Sequence, residues 1–444
     1  MLKKNLFFYF FIFFYFPNIG DCSPISRKID LKMAIKLSLI NNDKINEKKI
    51  GVKKADNLKN KIHGEFNPKL NINMGVGPIN RETGNSLSSQ SENSWGPIFV
   101  GNVKLTYPIW TWGKKNDLLK AAYHAKEIEK ENVKIEKLDI VNSIKKFYFG
   151  HLLAKTLLIF ATDTKKDIET ILKNMKEKKA EKEDQYRLEI LISEIKTKIL
   201  EIGKNIYLTK EALSFFISGK KEIISYSPKE DWLEYNKRKL EKTHHYLSIA
   251  KKNLPQWKQL SSGLLAKKNL LKAEEKSNLP IIALLAEGNW SETRQRNRQP
   301  SSYAFDPFNN QSLSIGVGFT MNLDWGIKSS KIKDLKFDIT QLERKHSFAE
   351  KGLTLRIIES IENVKALEKK LTYLKKAKRL AKKWLNRTLM AISLGLLNSE
   401  KITDAYSARA MTFKNYFETI YENHMAWSKL SQLVGQEIDP FLAQ

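Results

Sequence analysis

The chain has 444 residues, 77 basic and 49 acidic side chains, a net charge of +28 and 41% hydrophobic residues. That much apolar material excludes wholesale disorder, and a single cysteine excludes an intramolecular disulfide framework. A mean hydropathy of −0.44 argues against a polytopic helical membrane protein.

The N-terminus reads as an export signal. Lys3 and Lys4 precede an unbroken apolar run from Leu6 to Phe16, closed by Pro17. The run is too short to span a bilayer of about 30 Å as a helix and suits the apolar core of a secretory signal peptide over 1–22. Cys22 stands where a lipoprotein signal would place its acylated residue, but the preceding Asp21 fits such a signal poorly.

A repeated plan follows. In a first copy over 23–217, a helical pattern from Ile29 to Lys61 leads to Pro68, then to alternating segments that end at Trp112-Gly113. An inter-repeat segment over 218–239 separates it from a second copy over 240–435, with a tail over 436–444. There a helical pattern from about Leu247 to Lys276 leads to Pro280, and the alternating segments end at Trp325-Gly326. The two prolines are 212 positions apart and the two tryptophans 213, a match that favours duplication over coincidence. Long helical patterns follow each Trp-Gly, Lys114 to Phe216 and Lys328 to Val434.

The alternating segments are expected to be strands. Leu313, Ile315, Val317, Phe319, Met321 and Leu323 alternate with small or polar residues, as do Leu70, Ile72, Met74 and Val76, and Phe99, Val103, Leu105, Tyr107 and Ile109. The segment from Ile281 to Trp290 is more uniformly apolar, so its facing stays open. Hairpins over about 67–110 and 280–324 are expected, with polar loops at Asn80 to Trp95 and Ser291 to Gln311. Segments of about ten residues match the length of a tilted membrane strand. A membrane sheet must close, because unpaired edge groups are costly in hydrocarbon, and four strands cannot close alone. Several chains would then share one barrel. The contrasting reading is a soluble periplasmic coiled-coil scaffold or adaptor with a water-exposed sheet and no pore.

In the second long pattern, Ile357, Ile361, Val364, Leu367, Leu371, Leu374, Ala377, Ala381 and Trp384 recur at spacings of three and four, a coiled-coil seam. About 60 residues of helix from Lys328 to Leu389 would be on the order of 90 Å long. A reversal is expected at Leu394-Gly395-Leu396 and a stop at Gly435.

These features, in this order and spacing, resemble the TolC-type outer-membrane efflux and secretion channels of Gram-negative bacteria. The carrying motifs are the junctions at Pro68 and Pro280, those at Trp112-Gly113 and Trp325-Gly326, and Leu394-Gly395-Leu396. The resemblance implies a mainly α protein with β, a homotrimer whose chains each give four strands to a shared barrel continued by a helical periplasmic tunnel. It implies a periplasmic adaptor protein, an inner-membrane transporter and outer-membrane lipid as partners. It places the adaptor-facing tip at Leu394, Gly395 and Leu396 and an entrance constriction at Asp404, with Lys401 where a preceding acid would stand. The first-copy tip is replaced by Glu177-Lys178-Lys179.

Other chemistries find little support. Lysines are spread along the helices rather than gathered on one face with aromatics, which disfavours nucleic acid; lysines lining a tunnel would instead favour anionic cargo. Gly75-Val76-Gly77 and Gly316-Val317-Gly318 lack a third glycine and do not open helices. His244 and His245 are adjacent and do not face one site. No catalytic group, cofactor or metal site is expected.

Overall fold

The computed structural model describes residues 25–85, 88–177, 181–217, 224–230, 233–235, 239–301, 303–321, 326–393 and 399–438. Cys22 and the N-terminal segment expected to be an export signal, Lys178 and Lys179, Trp325, and Leu394, Gly395 and Leu396 lie outside these residues.

The elements run β1 (Ile25–Ile29), α1 (Leu31–Asn41), α2 (Asp43–Glu65), β2 (Lys69–Asn85), β3 (Ser88–Trp110), α3 (Lys114–Glu177), α4 (Lys182–Ile217), β4 (Ile224–Pro228), α5 (Thr243–Asn253), α6 (Pro255–Glu275), β5 (Ile281–Thr293), β6 (Asn310–Thr320), α7 (Ile327–Ser393) and α8 (Ser399–Val434). The order helix, hairpin, long helix, return helix occurs twice. The long helices α3 and α7 have 64 and 67 residues. The chain divides into two units, one of 1–42, 143–235 and 374–421, the other of 43–142, 236–373 and 422–444.

In the first unit, β1 and β4 pair in parallel, Ile25 opposite Ile224 through Ile29 opposite Pro228. Here the sequence reading is corrected: Ile29 does not open a helix but ends a strand. Asp30 is the N-cap of α1, its carboxylate accepting the Met33 amide at 2.6 Å, which fixes the helix start at Leu31. Tyr148 of α3 is fully buried and anchors this small sheet. Its hydroxyl donates to the Glu230 carboxylate and lies 3.3 Å from the Ile29 carbonyl. A separate apolar core gathers Ile168, Leu188, Ile192, Leu385, Ile402 and Tyr406.

In the second unit, β2, β3, β5 and β6 form one antiparallel sheet in that order, open at both edges. The strands of the first hairpin continue through the expected loop, with Arg81 opposite Glu92 and Asn85 opposite Ser88 beyond a shift at Asn80/Arg81. A backbone ladder needs no apolar side chains. Polar cross-strand pairs carry it here, Asn80 Nδ2 to Ser91 Oγ at 2.8 Å and Arg81 to Glu92 at 3.6 Å. The core of this unit packs Tyr246, Leu254, Ile357, Ile361, Val364, Trp427 and Leu430. Gly435, with φ +73°, ends α8 and lies against the Leu254 backbone, where a Cβ would come within 2.6 Å.

The expected seam of α7 holds from Ile357 to Ala381 but changes phase at its end. Leu385 is buried and Trp384 is 47% exposed, because the step from Ala381 is four residues rather than three.

Candidate functional site

The sheet carries opposite chemistry on its two faces. Register aligns Ile72 with Val103, Val103 with Gly288 and Gly288 with Leu313, and likewise Leu105 with Ala286 and Ala286 with Ile315. This settles the facing of β5: its even positions Ile282, Leu284, Ala286, Gly288 and Trp290 join the apolar face. Among the described residues nothing covers that face, Met74 being 82% exposed and Leu313 and Phe319 77%.

The other face is polar. Asn73, Asn102, Asn289 and Ser312 form one row and Asn71, Lys104, Glu287 and Ser314 the next. Asn102 Nδ2 donates to Asn289 Oδ1 at 2.6 Å and to Glu287 Oε1 at 3.0 Å.

The junctions at one end of the sheet place glycines, and one tryptophan, at positive φ. Pro68 and Pro280 directly precede β2 and β5. Trp112 and Gly113 turn the chain from β3 into α3 with φ of +55° and +80°, and Gly326 precedes α7 at +97°. Glycine enters this region without a Cβ penalty, whereas Trp112 is strained there. Asp117, in the first turn of α3, is buried and ion-paired with Lys276, whose Nζ lies 3.2 Å from where a Gly113 Cβ would be.

Lys401 and Asp404 belong to the other unit. Both are exposed near the start of α8, while Ile402, Ala405 and Tyr406 between and beyond them are buried in its core. Glu400, beside them, pairs with Arg187 at 3.7 Å. Burial, with the nearby Asp167, pushes the Tyr406 hydroxyl up to about 12.

The same unit holds a cluster that sequence spacing did not reveal. Phe160 and Phe413 stack at 3.8 Å, Arg409 lies 5.3 Å from Phe160, and Lys378 Nζ lies 4.1 Å from Tyr416 and 5.0 Å from Phe417. Burial and then the charges of Lys375 and Lys382 hold the Lys378 amine below its ordinary value. The cations stand over aromatic faces. Their positions on separate helices left no local motif to read.

Among the described residues, no helix is long and apolar enough to cross a membrane and no group of three or more His, Cys, Asp or Glu side chains gathers as for a metal.

No family model and no curated protein matches the sequence. Solved structures do. CusC, from crystal structures concerned with transmembrane channel formation, aligns over 92% of this chain and 93% of its own at a TM-score of 0.75 and 13% identity. The CmeC outer membrane channel of Campylobacter jejuni aligns over 92% and 87% at 0.74 and 14% identity, and the outer membrane protein VceC of Vibrio cholerae over 92% and 97% at 0.73 and 12%. The chain has the TolC-type outer-membrane channel fold. Within that fold, the predicted residues that are described fall into two groups in different units: the strand-helix junctions with the sheet, and Lys401 with Asp404 on the return helix.

Proposed function

We propose that the protein is a passive exit duct in the outer membrane of a Gram-negative bacterium, reaching into the periplasm. In this reading it forms the outer part of a tripartite efflux or type I secretion system. The observation that carries this reading is the four-stranded sheet, which exposes an apolar face and has two open edges. In water such a sheet invites edge-to-edge pairing and exposes a large apolar patch. In a bilayer the apolar face meets lipid, and the edges of β2 and β6 must find partners in other copies. Three chains supply twelve strands, an even number within the range of bacterial barrels. The polar rows of Asn73, Asn102 and Asn289 would line the lumen. The junctions at Pro68, Pro280, Trp112, Gly113, Trp325 and Gly326 would mark the passage from barrel to tunnel, Asp404 and Lys401 the periplasmic entrance, and Leu394, Gly395 and Leu396 the surface met by an adaptor and its inner-membrane transporter. The duct would hold no chemistry of its own, its energy coming from the transporter.

Fractionation and bilayer recording test this reading. The protein should resist salt and urea extraction, leave the membrane in mild detergent as a trimer, and conduct when placed in planar bilayers. A monomer released by urea would instead support a soluble periplasmic scaffold.

A further inference from the structure

Between β5 and β6 the described residues 294–301 and 303–309 do not stand away from the sheet. Thr293, on the polar-face side of β5, is buried, and its hydroxyl donates to the Pro97 carbonyl at 2.9 Å. Gln295 then lies over Gly96, where an added Cβ would come within 1.9 Å of its Nε2. The Glu82 amide donates to the Gln295 carbonyl at 3.1 Å. At Arg296 the segment is fastened to the first hairpin. The side chain is 9% exposed, donates to the carbonyl of Asn80 and, at 2.9 Å, to its Oδ1, pairs with Glu82 at 3.4 Å, and stacks 4.9 Å from the Phe308 ring.

The return is equally ordered. The Asp306 carboxylate accepts the amides of Gln299, Phe308 and Asn309, and those bonds hold its pKa down against the effect of burial. Asn309 Nδ2 donates to the Arg296 carbonyl at 3.2 Å, and Ser291 Oγ to that of Pro307, also at 3.2 Å. Phe305 and Pro307 are thereby carried over the polar rows. With Asn73, Asn102, Asn289 and Ser312 they bound a recess of about 560 Å³. Phe305 remains 74% exposed, and Tyr303 is fully exposed.

We infer that this segment narrows the outward mouth of the duct, and that Arg296 is the positioning residue that seats it. The inference rests on the duct reading above. If the apolar face meets lipid, the polar face is the lumen wall, and a segment folded across it lies inside the barrel. The helices leave from the opposite end of the sheet, so the segment sits at the outer end. A closed trimer brings three such segments to one level, each presenting Tyr303 and Phe305. The mouth is then set by these segments and their aromatic tips rather than by the barrel.

Planar-bilayer recording on the full-length trimer tests this, with polyethylene glycols of graded size added only to the side the hairpin loops face. One-sided addition confines the polymer to the outer mouth, so the polymer mass at which the conductance stops falling reads the width of that mouth, while the mouth's share of the total series resistance sets only the depth of the fall. In the double variant Tyr303→Ala with Phe305→Ala, and in Arg296→Ala, the largest polymer that enters and lowers the conductance should rise in mass by about two-fold or more, since entry is set by the narrowest lining. Arg296→Lys, which keeps the charge beside Glu82 but not the forked bonds to Asn80, should restore part of the wild-type cutoff. An unchanged cutoff in the double variant, whose two side chains support no core, overturns the inference. A wild-type protein that inserts and does not conduct overturns the duct reading instead.

Discussion

The indole Nε1 of Trp112 donates to the carbonyl of Pro280 at 2.7 Å, joining residues 168 positions apart. Both sit at ends of the sheet, Trp112 after β3 and Pro280 before β5, so the bond ties the first Trp-Gly junction to the second proline junction. Trp110 adds an edge-on contact at 6.1 Å.

Removing that donor isolates one tie between the two hairpins. Trp112→Phe keeps the aromatic contact and leaves the Pro280 carbonyl without this donor, a loss of about 0.5–1.5 kcal/mol. The thermal midpoint of the purified protein should fall, while Trp110→Phe, which leaves the bond in place, should have the smaller effect. Equal midpoints for wild type and Trp112→Phe would show that the bond contributes nothing to holding the junctions.

The two faces of β6 should respond oppositely to charge. Val317 lies on the apolar face opposite Leu284, and Ser314 on the polar face opposite Glu287. In the proposed duct, arginine at Val317 would meet hydrocarbon at a cost of about 2–4 kcal/mol near the bilayer midplane. Ser314→Arg gains Glu287 as a neighbour across the strands. Heat-resistant trimer on semi-native gels should be depleted by Val317→Arg and retained by Ser314→Arg. Retention of both, or loss of both, contradicts the assignment of lipid and lumen faces.

Period-two alternation made β6 and the inner halves of β2 and β3 legible in the sequence, since each has one apolar and one polar face. The facing of β5 was not, because Leu285 on the polar face breaks the alternation and only pairing with Val103 and Ile315 decides it. The outer parts of β2 and β3 escaped for the opposite reason: they are polar on both faces, and their backbone ladder leaves no mark on hydropathy. The β1–β4 pair was hidden because its strands are five residues long and 199 positions apart in register. Of the candidate residues, the glycines at 113 and 326 were readable from their place between strand and helix. Arg296 is one of three arginines in a polar loop, and only the fold brings it to Asn80 and Glu82.

Tyr148 and Glu230 should be coupled in stability. Burial and then the Glu230 carboxylate raise the Tyr148 pKa, so the phenol stays protonated and donates. Tyr148→Phe leaves a carboxylate short of a donor beside a buried ring, at a cost of about 1.5–3 kcal/mol for a bond to a charged group. Adding Glu230→Gln to that variant should recover part of the loss, because a neutral amide is cheaper to leave unpaired. Additive losses in chemical denaturation would show that the two groups do not interact.

His151 predicts how the protein responds to acid. It is 5% exposed, its Nδ1 lies 3.2 Å from Thr209 Oγ1, and burial, then the charge of Lys155, lowers its pKa from 6.5 to about 4. Above pH 6.5 the imidazole is neutral in folded and unfolded chains alike, so it adds no pH dependence. As the pH falls from 6.5 toward 4, the unfolded chain takes up a proton that the folded one refuses, and stability drops. Below pH 4 the penalty is complete, on the order of 3 kcal/mol. His151→Gln removes the titrating group at similar size. Wild type and variant should therefore show thermal midpoints that diverge with acidification, the variant losing less between pH 7 and pH 4. Parallel curves across that range would mean that the folded protein accepts the proton, and that the site around Thr209 is wetter or more yielding than its geometry indicates.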